Sequence, residues 1–515
     1  MKSPLLAVLA AFAGLALLAG CGDEPSSSSD PAGFAPPGSL VYVEGTVRPT
    51  GSLKSDVDSI ASKVAGVDNL GEFVVEELES SARDDGEPVD YATEIEPWLG
   101  ERAGVAFADL RDGDPSDFAA AVESTDAAAT QEFIDKQVEI SKDGYRDVSY
   151  EGVEFKVGGD EDQAVGVVGD FLVLAEDEQA FKDAVDASSG DSLADEARFV
   201  GAWKATSEGA LADVYVDVGG LIERSGDTID PQARQILGNA GIDPSDATAV
   251  ASVIPGADHV EVDLSSDLGG ERAPTGDASK LLGSLPADSF AAFAASGFGQ
   301  QLEEALDTLD EEGIPGEIPP NQLKSGLKEA GIDLDSIVGS LEDAAVFAVG
   351  GNESSLGGAL VLTTEGSQVT NTVSNLGLLL RSAGVSGVTA LTGKASGFSV
   401  RSPDLGDKPV VVAAQGERLA IGYGLPATLT GLAAGSGKTL SDSPTYKTAV
   451  SALGDTPIGA FVDGPAALRL ADSFVPASDS GFEEAKRYLK SIEYLALGSA
   501  AEGDLTTAKL IVGLK

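Results

Sequence analysis

The chain has 515 residues, 85 acidic and 33 basic, and its formal charge of −52 makes a surface that repels nucleic acid and anionic lipid headgroups. An apolar fraction of 42% belongs to a folded chain, and the length exceeds what one hydrophobic core serves, so two domains or one duplicated domain are expected. A single cysteine and a single histidine nearly exclude cysteine or serine triads and zinc sites built on several histidines.

The chain opens with one positive charge, Lys2, an apolar run from Pro4 to Ala19, then Gly20 and Cys21. The run is too short and wrongly flanked for a helix that stays in the bilayer, and it fits the core of a cleaved signal peptide over residues 1–20. Leu18-Ala19-Gly20-Cys21 resembles the lipobox of bacterial lipoproteins, in which the thiol after the cut receives diacylglycerol. Cys21 is the lone cysteine, so it makes no disulfide within the chain, and lipidation accounts for it. Residues 21–33 read as a flexible tether, and the same Ser, Pro and Asp bias continues to Pro37. The expected location is the extracytoplasmic face of a cell membrane, with lipid on Cys21 as the anchor.

After the tether, two divergent copies of one unit are expected at 34–268 and 283–515, joined by a linker at 269–282. Pro36-Pro37-Gly38-Ser39-Leu40-Val41-Tyr42-Val43 is echoed by the segment from Leu285 to Phe293, and Gly169-Asp170-Phe171-Leu172-Val173-Leu174 by Gly416 to Ile421. Leu193, Asp195 and Phe199 share their spacing with Leu440, Asp442 and Tyr446, and the strand ending in Asp217 answers the one ending in Asp463. Within a copy, Val57, Ile60, Val64, Phe73, Val74 and Leu78 predict an amphipathic helix broken near Gly66 or Gly71. Ala103 to Leu110 reads as a strand, and Phe133, Ile134 and Val138 as a helix, with Val369, Val373, Leu376 and Leu380 in the corresponding place. Val153–Val157, Ala164–Val168 and Phe171–Leu174 are strands whose turns are too short for crossovers, so they pair antiparallel. Paired strands close each copy, Ala247 to Leu264 and Ile492 to Leu514. The predicted class is α+β, each copy a mainly antiparallel sheet with helices packed on one face.

The head segment Pro36 to Val43, then Val89-Asp90-Tyr91 leading to Glu96-Pro97-Trp98-Leu99-Gly100-Glu101-Arg102-Ala103, resembles a bacterial family of secreted proteins, domain of unknown function 3352. The second copy has Ile337-Val338-Gly339 where Pro-Trp-Leu-Gly would stand, so any role of Trp98 is not duplicated. The resemblance implies a fold and supplies no chemistry.

No motif points to catalysis, a cofactor or a bound metal. His259, Glu261 and Asp263 alternate along a predicted strand and share a face, read here as the solvated side of an edge hairpin whose Val260, Val262 and Leu264 are buried. Asp112, Asp114 and Asp117 match a calcium loop only loosely, because Pro115 interrupts the spacing and Asp117 stands where glycine is required. Gly431 to Lys438 lacks the first glycine at P-loop spacing and reads as a plain loop. Charge is uneven: residues 351–515 hold 15 acidic and 13 basic side chains, against 70 and 20 in residues 1–350. The expected role is therefore a non-catalytic binding or scaffolding protein of the cell envelope, its near-neutral part meeting an envelope partner. The alternative is a carrier of lipid or another apolar molecule between sheet and helices, with the uncharged helix Ser367 to Leu380 as its wall.

Overall fold

The computed structural model describes residues 30–515 except 85–87, 112–113, 142–143, 159–162, 226–246, 268–275, 313–321, 323, 326–327, 329–333, 366–367, 383, 403–405, 433–436, 476–478 and 503–504. The leader, Cys21, Asp112 and the centre of the Gly431–Lys438 loop lie outside the described residues. The chain divides into two compact units, residues 1–272 with 501–508 and residues 273–500 with 509–515.

In the first unit the order is β1 (Val41–Thr46), α1 (Gly51–Ala65), α2 (Leu70–Asp84), β2 (Leu99–Arg111), β3 (Asp114–Ser124), α3 (Ala127–Ile140) and β4 (Tyr145–Tyr150). It continues with β5 (Val153–Gly158), β6 (Gln163–Val168), β7 (Phe171–Ala175), α4 (Glu178–Ser189), α5 (Ala197–Trp203), β8 (Ala212–Asp217), α6 (Val218–Arg224), β9 (Thr248–Pro255) and β10 (His259–Asp267). The sheet runs β4-β5-β6-β7-β3-β2-β1-β8-β9-β10 and is antiparallel at every pairing. Glu151 and Gly152 both adopt positive φ in the tight turn between β4 and β5, the backbone that a two-residue hairpin of this twist requires. The predicted helix break falls at Gly66, which ends α1 in the left-handed conformation at φ 72°.

Helices cover both faces of this sheet, which corrects the one-face expectation. Phe171, Val173 and Ala175 of β7 bury against Phe181, Ala184 and Val185 of α4, while Leu172 and Leu174 bury on the other face with Phe133 and Ile134 of α3. All five residues of β7 are buried, as a strand between two helical layers must be.

The tether reading also changes. Pro31–Phe34 form a short 3-10 helix capped by Asp30, Ala32 and Ala35 are buried, and the Phe34 ring lies 4.7 Å from that of Phe171. Ser, Pro and Asp content suggests a loose segment, yet three small or aromatic apolar residues suffice to seat residues 30–37 on the sheet.

The second unit contains α7 (Ser279–Gly283), β11 (Ser289–Ala295), α8 (Phe298–Glu312), α9 (Leu334–Val338), β12 (Leu341–Val349), β13 (Gly357–Thr364), α10 (Gln368–Ser382), β14 (Val388–Ala390) and β15 (Ser396–Val400). Then come β16 (Val410–Gln415), β17 (Arg418–Tyr423), α11 (Leu425–Leu432), α12 (Pro444–Ala452), β18 (Ile458–Asp463), α13 (Gly464–Phe474), α14 (Ser480–Leu489), β19 (Ile492–Glu502) and β20 (Leu505–Leu514). Its strand order is β14-β15-β16-β17-β13-β12-β11-β18-β19-β20. Here too both faces are covered. Phe347, Val361 and Ala420 pack with Leu432 and Tyr446, and Leu362, Leu419 and Phe398 pack with Val369 and Val373 of α10. Part of the predicted linker belongs to this core, since Leu281 and Leu282 of α7 are buried.

Trp98 of the Pro-Trp-Leu-Gly element is a packing residue. It is 2% exposed, its ring is 5.5 Å from Phe133, and its indole N–H donates to the Glu94 carbonyl at 2.6 Å. A Cβ at Gly100 would come within 2.6 Å of Glu123 Cγ, so the element's glycine keeps room for that side chain. Trp98→Ala is expected to cost about 3–5 kcal/mol of stability, read as a drop in the urea midpoint of unfolding. A cost below about 1 kcal/mol would show that Trp98 is not part of the packed core.

Candidate functional site

One polar row crosses the first unit's sheet. In register, Gly104 of β2 stands opposite Glu44 of β1, Glu44 opposite Asp213 of β8, Asp213 opposite Ser252 of β9, and Ser252 opposite Asp263 of β10. Paired residues share a face, and this is the face that also carries Tyr42, Ala106 and Tyr215, packed against Phe199 of α5. The Tyr42 hydroxyl donates to Glu44 Oε2 at 2.7 Å, and Arg102 Nε donates to Glu44 Oε1 at 2.9 Å. Asp30, from the segment that caps this face, lies 3.7 Å from the same guanidinium. Gly104 is what makes the space: a Cβ there would meet Tyr42 Oη at 2.6 Å and Pro31 Cβ at 2.7 Å.

Further along the row the Ser252 hydroxyl donates to Asp213, the Ser207 hydroxyl donates to Asp263 Oδ2 at 2.7 Å, and the Ser207 N–H donates to Ser252 Oγ at 2.9 Å. Burial pushes the Asp213 carboxyl up to about 6, with Glu44 adding to the rise and the Ser252 hydrogen bond opposing it. Burial also raises Glu44, against the pull of Arg102. Tyr42 is held well above its usual range by burial and by the neighbouring carboxylates. The row thus sets carboxylates against one guanidinium and the hydroxyls of Tyr42, Ser207 and Ser252.

The sequence reading of β10 is corrected by this geometry. Leu264 is 42% exposed and Ser265 is buried, so the side of β10 bearing Asp263 meets α5 and its following turn, while on the other side Val260 and Val262 are half-buried and Leu264 is exposed. Alternation gives two faces but not which one the helix covers; here hydroxyl partners make burial of the polar face tolerable. His259 is not brought to Glu261 or Asp263 as a cluster. Its Nδ1 lies 2.9 Å from Asp258 Oδ1, a hydrogen bond that lowers the Asp258 pKa. Asp114 and Asp117 lie in β3, where Asp114 is opposite Arg111 in a hairpin and the Asp117 N–H donates to Glu176. Among the described residues no group of three or more metal-type ligands converges.

Two further features were not foreseen from sequence. The first is a cavity of about 460 Å3 in the first unit, between α1, α2 and the segment after β1, lined by Val47, Val57, Leu70, Val75, Tyr91 and Leu211 among others. The wall expected at Ser367 to Leu380 is instead core: Val369 and Val373 of α10 are buried, and Leu376 and Leu380 pack against the same cluster.

The second is an apolar row across the second unit's sheet. Leu497, Ala460, Phe293, Val346, Leu360, Ile421 and Val412 stand opposite one another from β19 to β16. At one end Leu360 and Val412 pack against the cluster under α10, but Phe293 is 52% exposed, Val346 49%, Ile421 39% and Leu497 37%. Among the described residues, fourteen of the seventeen exposed large hydrophobic side chains belong to the second unit. No described helix is long and apolar enough to cross a membrane.

Because Asp213 keeps a proton in the folded state that it loses near pH 4 when unfolded, stability falls as pH rises between about 4 and 6. The burial cost is fully present above that window and is of order 2–3 kcal/mol. Asp213→Asn retains an acceptor for Ser252, so the variant is expected to be more stable than the parent at pH 7 and to show a flatter pH dependence between 4 and 6 in urea unfolding. Parallel curves for the two proteins would refute the assignment.

The chain matches the family described as "Protein of unknown function (DUF3352)" over residues 74–514. No curated protein matches it. Among solved structures it is similar to crystal form IV of TP0453, at 14% identity and a TM-score of 0.27, covering 47% of this chain and 82% of that one. Crystal form III of TP0453 is 16% identical with a TM-score of 0.26, covering 48% of this chain and 83% of that one. Likeness at that level assigns neither fold nor function. The match over residues 74–514 is of a different extent, and by it the chain belongs to the DUF3352 family.

Proposed function

We propose that this protein is an extracytoplasmic lipoprotein, held at the membrane by lipid on Cys21, that works without catalysis by docking a protein of the cell envelope on its second unit. The observation that carries this reading is the exposed row from Leu497 through Phe293 and Val346 to Ile421. Contiguous apolar side chains on a sheet face normally lie under a second layer, and a soluble surface that leaves them open is the usual mark of a protein contact. Leu360, Ile421 and Leu497 of the row come from residues 351–515, which carry 15 acidic against 13 basic residues, whereas Phe293 and Val346 come from the acidic stretch 1–350, so apolar contact rather than charge is what the row offers a partner. Against catalysis stands the wiring of the buried carboxylates: Glu44 and Asp213 are engaged by Arg102, Tyr42 and Ser252 rather than turned toward a substrate space. Carriage of an apolar molecule is a second reading, favoured by the cavity beside α1 and α2.

We further propose that the two units are divergent copies. The strand orders of the two sheets correspond position by position, β1 to β11 and onward. Each has a 3-10 turn closed by a capping box, Ser192 with Asp195 and Thr439 with Asp442. Phe199 meets Tyr215 edge-on at 5.0 Å, and Tyr446 meets Phe461 edge-on at 5.3 Å, with the two ring types exchanged. Leu193 N–H donates to the Ala35 carbonyl and Leu440 N–H to the Leu285 carbonyl, both at 2.9 Å.

A photo-crosslinking side chain at position 293, in cells of the native organism, is expected to give one discrete protein adduct that is lost on adding Val346→Asp. The same group at position 264 is expected to give none. Equal adducts from 293 and 264 would dispose of the docking face. Cys21→Ser is expected to leave the protein unprocessed or released from the membrane in detergent partitioning; a variant that matures and partitions like the parent contradicts the anchor.

A further inference from the structure

We propose that the cavity between α1 and α2 binds a single-chain amphiphile whose polar end is uncharged or cationic. This rests on the carrier reading and is independent of the docking face. A volume of about 460 Å3 falls within the range of small-molecule sites, and Val47, Val57, Leu70, Val75 and Leu211 give it an apolar wall.

The space follows from how these helices are attached. Each has 15 residues, yet α1 buries only Val57 and Ala61, and α2 only Leu78 and Ala82, where amphipathic helices of that length normally seat a full stripe. The core beneath α1 consists of Val57 and Leu211, with Leu53 and Leu70 against them. Polar bonds hold the middle of α1 instead: the Leu70 N–H at the start of α2 donates to Asp58 Oδ1 at 3.0 Å, and the Ser59 hydroxyl to the Ala257 carbonyl at 2.7 Å. Helices held by a few polar bonds over a thin apolar core keep a cavity that apolar matter can fill.

Charge then selects the polar end. Both cations of the lining are committed, Arg48 to the Leu99 carbonyl at 2.9 Å and to Glu96 at 3.5 Å, and Lys54 to Asp58 at 2.6 Å. Glu72 and Glu76, four residues apart on α2 and both exposed, complete the charged lining. A ligand carboxylate or phosphate would face them, in a chain of net charge −52, whereas a hydroxyl or an ammonium would not be repelled. The Tyr91 phenol, raised above its ordinary pKa by burial, remains a donor at the wall.

The test is calorimetric titration of the chain from Gly22 onward, which keeps every described residue, at low salt and below each probe's micelle concentration. Monolauroylglycerol and dodecyltrimethylammonium are expected to bind one to one, with dodecanoate weaker by about tenfold or more. Val75→Trp, which fills the space from an incompletely buried position, is expected to weaken monolauroylglycerol by about tenfold with the urea midpoint unchanged. Glu72→Lys with Glu76→Lys is expected to reverse the order in favour of dodecanoate. Absence of binding by all three probes overturns the carrier reading itself. Dodecanoate binding the parent as tightly as monolauroylglycerol overturns only the ligand class, and unchanged binding by Val75→Trp overturns the location.

Discussion

The structure depends on one constraint: helices pack on both faces of each sheet, so a strand beneath two complete layers is buried on both sides. A strand such as Phe171–Ala175 has no side left for water, so every side chain must be apolar or find a partner, and each helical layer must be complete for the sheet beneath to be dry. Where a layer is complete, as under α3, α4 and α12, the result is ordinary core. Where it is thin or missing, the same sheet presents either a cavity or an open apolar face. The space beside α1 and α2 and the row through Phe293 are in this sense one kind of feature, produced by two degrees of incomplete cover.

Two-sided burial also explains the polar row in the first unit. Glu44 and Asp213 occupy a face roofed by α5 and by residues 31–37, where an unpaired carboxylate would cost several kcal/mol. One guanidinium, a tyrosine hydroxyl and two serines share the task of satisfying four carboxylates. Burial nonetheless raises the Asp213 pKa, and the neighbouring Glu44 adds to the rise against the Ser252 hydrogen bond. The row depends on Gly104, since the small residue opposite Glu44 is what lets the Tyr42 hydroxyl reach it. It also needs the segment from Asp30, which closes the cluster from outside and brings a further charge to Arg102.

Local elements were legible because local chemistry fixes them. Short Gly and Asp turns forced β5, β6 and β7 into antiparallel pairs, and apolar residues three and four apart marked α1, α2, α3 and α10. The second helical layer was also written in the sequence, in the unbroken apolar run Phe171-Leu172-Val173-Leu174-Ala175, which an alternating one-faced strand does not have. What local pattern lacks is lateral information. Glu44, Asp213, Ser252 and Asp263 are far apart in the chain and meet only through strand register, as do Phe293, Val346, Leu360 and Ile421. For β10, alternation separated Asp263 from Leu264 correctly, but it does not say which side α5 covers, and the assignment of the polar side to solvent is wrong.

The proposal of two copies sharpens the contrast between the units. The matching strand orders place Val43 of β1 in the position of Phe293 of β11 and Val105 of β2 in that of Val346 of β12: Val43 is opposite Val105, as Phe293 is opposite Val346. In the first unit these positions hold valines that are not among the exposed large hydrophobic side chains; in the second they hold a phenylalanine and a valine about half exposed. Loss of cover by itself would select for polar replacements at such positions, because an open apolar row on a soluble protein invites aggregation. A larger aromatic ring standing in the open at the centre of the row is the opposite substitution. It is what a contact surface acquires, since a buried aromatic anchor contributes more to an interface than any other apolar side chain of comparable rigidity. If the units are copies and the row is a docking face, as proposed, the second unit keeps the shared frame and exchanges an internal layer for an external partner.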